Sequence, residues 1–190
     1  MKFKVFIFIV VVAIWFMGVS FYSMKELPKN YKPIPVYKSE QKEIGKLLPD
    51  FSFTTYYDQQ INIQDLKERV IIVYFWADGC LTCKVELIKL YKLLYRYQDK
   101  IAIVTVSTDD KKQTMWKSMS FLDQKDFDLR HRNIYWAWDK DKIISNKIFG
   151  VRKLPEAIFI NEDRHMVFKT IGATDWLDSK ITNRINEMLK

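Results

Sequence analysis

Residues 70–83 read Val-Ile-Ile-Val-Tyr-Phe-Trp-Ala-Asp-Gly-Cys-Leu-Thr-Cys. The first seven, Val70 to Trp76, form an unbroken apolar run rich in β-branched and aromatic side chains, the pattern of a strand buried on both faces. Beyond Cys83, the residues Leu87, Leu90, Tyr91 and Leu94 recur at helical spacing. Ile101 to Val106 is a second buried run. Strand, helix and strand at these distances predict a βαβ unit in an α/β protein with a parallel sheet.

Working outward, Phe51-Ser-Phe-Thr-Thr alternates like a half-buried strand, with Ile61-Asn-Ile as its hairpin partner. Asp109 or Asp110 is placed to cap a helix carrying Met115, Trp116, Met119 and Leu122. Residues 123–133 are charged and read as a loop, and Ile134 to Trp138 as a short strand. Asp139 is placed to cap a helix ending near Phe149, with Gly150 just past its end. Ala157–Ile160 and Met166–Ile171 read as antiparallel strands about a turn at 161–164, and Leu177, Ile181, Ile185 and Leu189 mark a closing helix. The aromatics Tyr135, Trp136 and Trp138 divide between core packing and a partner surface.

The chain has 190 residues, 48% of them hydrophobic, with 5 Gly, 5 Pro and 2 Cys. That suffices for one domain with its accessories and excludes disordered, collagenous and disulfide-rich classes. The formal charge of +8 suits an anionic surface or acidic partners. No nucleic-acid-binding motif accompanies it, and nucleic acid is not expected as a partner.

Val5 to Met24 is twenty residues without a charge. As a helix it rises roughly 30 Å, the thickness of a bilayer core. Residues 1–24 therefore read as a single-pass membrane anchor, with cleavage as a signal peptide the alternative. Gly18 and Ser20 are the only tolerable pair for a cleavage site, and no Cys follows for a lipid anchor. Residues 25–47 carry Pro28, Pro33 and Pro35 and read as a tether, leaving 48–190 as the domain. Lysines flank the apolar run on both sides, so charge alone does not orient it. The short basic head before it places the domain on the extracytoplasmic side of the inner or plasma membrane.

Cys80 and Cys83 are the only cysteines. A structural staple closing so short a loop would contribute only about 2 kcal/mol in the loop-entropy model. Zinc needs four ligands, and the remaining soft donors, His131 and His165, are distant in sequence and lie in loops; no metal is expected. Cys80 falls where the strand ends and the helix begins, and unpaired N–H groups and the positive helix end there favour a thiolate. Lowering a thiol pKa from about 8.5 to about 7 raises its ionised fraction at neutral pH from roughly 3% to roughly half. Cys83, one turn later, can resolve a mixed disulfide formed on Cys80. The pair reads as a dithiol–disulfide exchanger.

Residues 73–84, Val-Tyr-Phe-Trp-Ala-Asp-Gly-Cys-Leu-Thr-Cys-Lys, resemble the active-site segment of thioredoxin-fold proteins. The order beyond resembles the membrane-anchored TlpA/ResA/DsbE branch of extracytoplasmic thiol–disulfide oxidoreductases. Its marks here are Leu48-Pro-Asp-Phe-Ser-Phe, the strand and acid of Val104 to Asp109, and the stretch from Trp138-Asp139 through Phe149-Gly150 to Leu154-Pro155-Glu-Ala-Ile-Phe-Ile160. The resemblance runs from Leu48 to the C-terminus, with Gly172 at the place of the glycine after the last strand.

It implies a thioredoxin-like fold: a central mixed sheet flanked by helices, with an N-terminal β-hairpin and an inserted helix. It also implies a redox-active Cys80–Cys83 disulfide with no further cofactor, and a cis Leu154–Pro155 bond facing the cysteines. The substrate groove would then be formed by Gly79, Leu81, Thr82, Leu154 and Pro155. Gly79 stands where the branch usually has Trp, and Thr82 where it usually has Pro. Leu-Thr-Cys-Lys is instead reminiscent of the C-terminal domain of the reductant transporter DsbD. Tyr74 occupies the place of the buried acid of thioredoxins, which leaves Asp109, Asp110 and Glu156 as candidate proton acceptors.

By analogy with the branch, the activity is reduction of protein disulfides, as in cytochrome c maturation, with electrons from a DsbD-type membrane transporter. A copper-handling metallochaperone of the same fold, using both thiolates as soft ligands, is the alternative. A scaffold that merely inherited the fold is a further one.

Overall fold

The computed structural model describes residues 44–123 and 127–190. β3 (Val70–Trp76) is the central strand of a five-stranded sheet ordered β5-β4-β3-β6-β7. β4 (Ile101–Ser107) and β5 (Ile134–Trp138) run parallel to it, as the βαβ pattern predicts. β6 (Glu156–Ile160) and β7 (Met166–Ile171) are antiparallel additions on the other side. The sheet is therefore mixed, and the fold is thioredoxin-like α/β.

β3 is buried along its whole length because both faces are covered. Val70, Ile72, Tyr74 and Trp76 face α1 (Leu81–Tyr97), α2 (Lys112–Asp123) and α3 (Ser179–Met188), meeting Leu87, Leu90, Met115 and Ile185. Ile71, Val73 and Phe75 face the other layer, built from Phe51, Phe53, Ile63, Ile144 and Phe149. That layer carries the predicted hairpin, β1 (Ser52–Thr54) with β2 (Gln60–Asn62), in register Phe53↔Ile61. The hairpin joins the main sheet at its β5 edge, where Tyr56 N–H donates to the Trp136 carbonyl at 2.6 Å and Thr55 bridges Ala137.

Gly45, Lys46 and Leu48 hydrogen-bond with Arg164 and Met166 around the β6–β7 turn. Residues 1–43, and with them the apolar run Val5–Met24, lie outside the described residues. Among those described, no helix is long and apolar enough to cross a membrane.

Two caps expected from sequence differ in outcome. Asp139 accepts from the N–H groups of Ile144 and Ser145 at 3.1 and 2.7 Å, opening the expected turn over Ile143–Ile148, which is a π-helix. Gly150 follows it at φ +59°, a conformation that suits glycine. Asp109 and Asp110 do not cap α2. The helix starts only at Lys112, and Asp109 is buried in the loop that precedes it. Of the aromatic trio, Trp136 is core, edge-on to Trp76 at 6.2 Å, while Tyr135 and Trp138 are half-buried.

Candidate active site

β3 ends at Trp76, and Ala77-Asp78-Gly79 carries the chain to Cys80, the residue that caps α1. The Cys80 Sγ accepts the Cys83 N–H at 3.1 Å, so the sulfur lies against the unpaired amides of the helix end. The two cysteines are joined in a disulfide. Cys83 is fully buried, whereas Cys80 is only partly so, flanked by the exposed Gly79, Leu81 and Thr82. A partner's sulfur can therefore approach Cys80 and not Cys83.

The loop before Cys80 is held from three sides. Asp78 N–H donates to both Asp109 carboxylate oxygens, at 3.1 and 3.2 Å, and Ser107 Oγ donates to Asp109 at 2.8 Å. The Asp78 carboxylate in turn accepts from Ser118 Oγ at 2.7 Å and pairs with Lys84 Nζ at 2.8 Å. Lys84 first, and Ser118 second, hold the Asp78 carboxyl below the usual carboxylate range. An added Cβ at Gly79 would meet no atom within 4 Å, so the position that usually carries Trp in the branch is open space.

Leu154–Pro155 is a cis peptide bond, as the resemblance implies. β6 pairs Glu156 with Phe75, which sets Pro155 beside the end of β3 where the cysteine loop begins. Gly172 N–H donates to the Pro155 carbonyl at 2.8 Å. Gly79, Leu81, Thr82, Leu154 and Pro155 thus gather at the end of the sheet that carries Cys80. His131 precedes β5 and His165 lies in the β6–β7 turn; both are at the opposite end.

None of the three expected acids faces Cys83. Asp109 is committed to the Asp78 amide. Asp110 is exposed and paired with Lys142 at 2.8 Å, and Glu156 lies on the face of β6 away from α1, 2.6 Å from Lys169. A buried acid on the Cys83 face is Glu86, three residues after Cys83 along α1 and 3% exposed. Its Oε1 accepts the Thr174 N–H at 2.7 Å and its Oε2 the Trp176 Nε1–H at 2.9 Å. Burial pushes its carboxyl up to about 7, opposed by Thr174, Trp176, Tyr74 and Lys89. The Tyr74 hydroxyl, raised well above its ordinary range by burial and then by Glu86, donates to the Cys83 carbonyl at 3.2 Å. The sequence signal was there: an acid in the apolar series Cys83, Glu86, Leu87, Leu90.

The AhpC/TSA family model matches residues 44–169 of this thioredoxin-like domain. The chain belongs to the AhpC/TSA family. Within that family it resembles the thiol–disulfide oxidoreductase ResA of Bacillus cereus, at 30% identity over 135 residues, covering 70% of this chain and 72% of that one. It also resembles the thioredoxin-like protein YneN of Bacillus subtilis, at 32% identity over 82 residues, which span 43% of this chain and 48% of YneN. The crystal structure of a DsbE-type thiol:disulfide interchange protein from Chlorobium tepidum superimposes with a TM-score of 0.64 at 20% identity, over 77% of this chain and 98% of that one, and shows the shared fold. The AhpC/TSA member described here is a thiol–disulfide oxidoreductase of ResA/DsbE type, with a CxxC pair as its redox group.

Proposed function

We propose that this oxidoreductase works as a protein-disulfide reductase, anchored by residues 5–24 with its domain on the extracytoplasmic side of the membrane. The observation that carries the exchange step is the asymmetry of the pair, one sulfur approachable at a helix start and the other buried one helical turn before Glu86. The Cys80 thiolate attacks a substrate disulfide, forming a mixed disulfide and releasing one substrate thiolate, which takes up a proton. Cys83 then gives its proton to Glu86 and attacks the Cys80 sulfur. The second substrate thiolate leaves and takes up a proton from water, Glu86 releases its own proton to solvent, and the Cys80–Cys83 disulfide remains. The substrate has gained two electrons and two protons. A dithiol donor must return them, and a DsbD-type membrane transporter is the class of partner that fits an extracytoplasmic reductase. ResA-like relatives and the helix-capping thiol support this reading, and apocytochrome c cysteines are the proposed targets.

An acid with a pKa near 7 suits the transfer, because it accepts a proton and releases it at working pH. The test is trapping. Cys83→Ser in the full chain is expected to accumulate a mixed disulfide on Cys80, whose partner mass spectrometry identifies. No adduct, with Cys80 also inert to alkylation, overturns the exchange reading. A Cys80–Cys83 potential near −120 mV overturns the reducing direction. Tight stoichiometric Cu(I) binding by the reduced chain would favour the copper-handling alternative.

A further inference from the structure

Leu81 and Val85 are 79% and 56% exposed, one and five residues after Cys80. Four apart on α1, they lie on one face and make an apolar strip leading away from the approachable sulfur. Leu154, half-buried, borders the same end of the sheet from the β6 side. The exposed Asp141 lies past the end of β5. The acids around the Cys80 loop are engaged within the chain: Asp78 with Lys84 and Ser118, Asp109 with the Asp78 amide, Asp110 with Lys142, and Glu156 with Lys169. Some of the cations are not. Arg152 and Lys153, both exposed, directly precede Leu154 and make no ion pair among the described residues. Lys117 is exposed and within electrostatic reach of Asp78, whose carboxylate Lys84 already holds. The stretch of rim formed by Arg152, Lys153 and Lys117 is therefore positive, and the strip it borders is apolar.

We propose that this face takes an extended segment of the partner protein in which the reacting cysteine is flanked by an apolar side chain and by Asp or Glu. The inference rests on the exchange reading and specifies its substrate class. The apolar neighbour covers Leu81 and Val85, and the acids meet Arg152, Lys153 and Lys117. Opposite charges raise the encounter rate as well as the affinity, and added salt suppresses both.

The test uses the full chain, reduced, in micelles of a neutral detergent, with three peptide disulfides. All share one apolar-Cys centre and differ in flanks of Glu, Ser or Lys. At 20 mM NaCl the Glu-flanked peptide is expected to react about tenfold faster than the Lys-flanked one, from two or three charge pairs at solvent-exposed separations. At 500 mM NaCl the ratio is expected to fall within about twofold. Replacing both Arg152→Glu and Lys153→Glu is expected to invert the ratio, and Lys117→Glu alone to lower it, which serves if the double variant fails to fold. Equal rates for the three peptides, or a preference for Lys flanks, overturn the proposal while leaving the exchange reading intact. No exchange with any peptide overturns the exchange reading itself.

Discussion

Glu86→Gln isolates one buried ionisation. Gln keeps the size of the side chain and resembles the protonated carboxyl, but it never becomes charged. In the native protein the carboxyl binds its proton up to pH about 7, because burial outweighs the opposing effects of Thr174, Trp176, Tyr74 and Lys89. In the unfolded chain it releases the proton near its ordinary value of 4.5. Between those values the folded state holds a proton that the unfolded state has lost, so folding loses stability as pH rises. The contribution is fully present below about pH 4.5 and is gone once pH has passed 7. At 1.36 kcal/mol per pH unit, this gap amounts to about 3 kcal/mol.

The assay is urea unfolding of the oxidised full chain at half-unit steps from pH 4.5 to 8.5, wild type against Glu86→Gln. Every other titrating group is common to both proteins, so the difference between the two stability curves reports Glu86 alone. Wild type is expected to lose about 3 kcal/mol relative to the variant across the range. With an m-value of about 2 kcal/mol/M, this is a relative midpoint shift of about 1.5 M. A difference curve flat within about 0.5 kcal/mol would refute both the raised carboxyl and its use as proton acceptor for Cys83.

Two further outcomes follow from the same core. Trp176→Phe removes the donor to Glu86 Oε2 and part of a ring packed on Phe159 and Tyr74; it should cost about 2–4 kcal/mol and, by withdrawing a bond to the charged form, carry the upper end of the pH window above 7, read from the same curves. Phe149→Ala empties the contact of Phe149 with Phe51 at 5.5 Å and Phe75 at 5.4 Å; thermal unfolding should show a loss of about 3–5 kcal/mol, the usual cost of deleting a buried ring.

Much of this is legible in the sequence. An unbroken apolar run can be a central strand only if both faces are covered, and Val70–Trp76 is one. Two cysteines one turn apart at a strand-to-helix junction carry their chemistry in their spacing. The cis Leu154–Pro155 bond entered through family resemblance, since nothing local distinguishes it from a trans proline that starts a strand. The sequence leaves the proton acceptor open among several acids, because an acid's role depends on what faces it. Asp109 looked like a helix cap by position, yet its carboxylate holds an amide 31 residues back, at Asp78. Glu156 adjoins the cis proline, yet strand alternation turns it to the opposite face of the sheet.

The linear order of residues was enough to establish the βαβ frame, the CxxC pair and which cysteine begins the helix, because periodicity and helix-end electrostatics act over a few residues. Only the folded chain could decide that Glu86, one turn from Cys83, is a buried carboxyl held by partners far away in sequence. Its titration is set first by burial, which excludes water, and then by the opposing donors of Thr174 and Trp176, 88 and 90 residues further on.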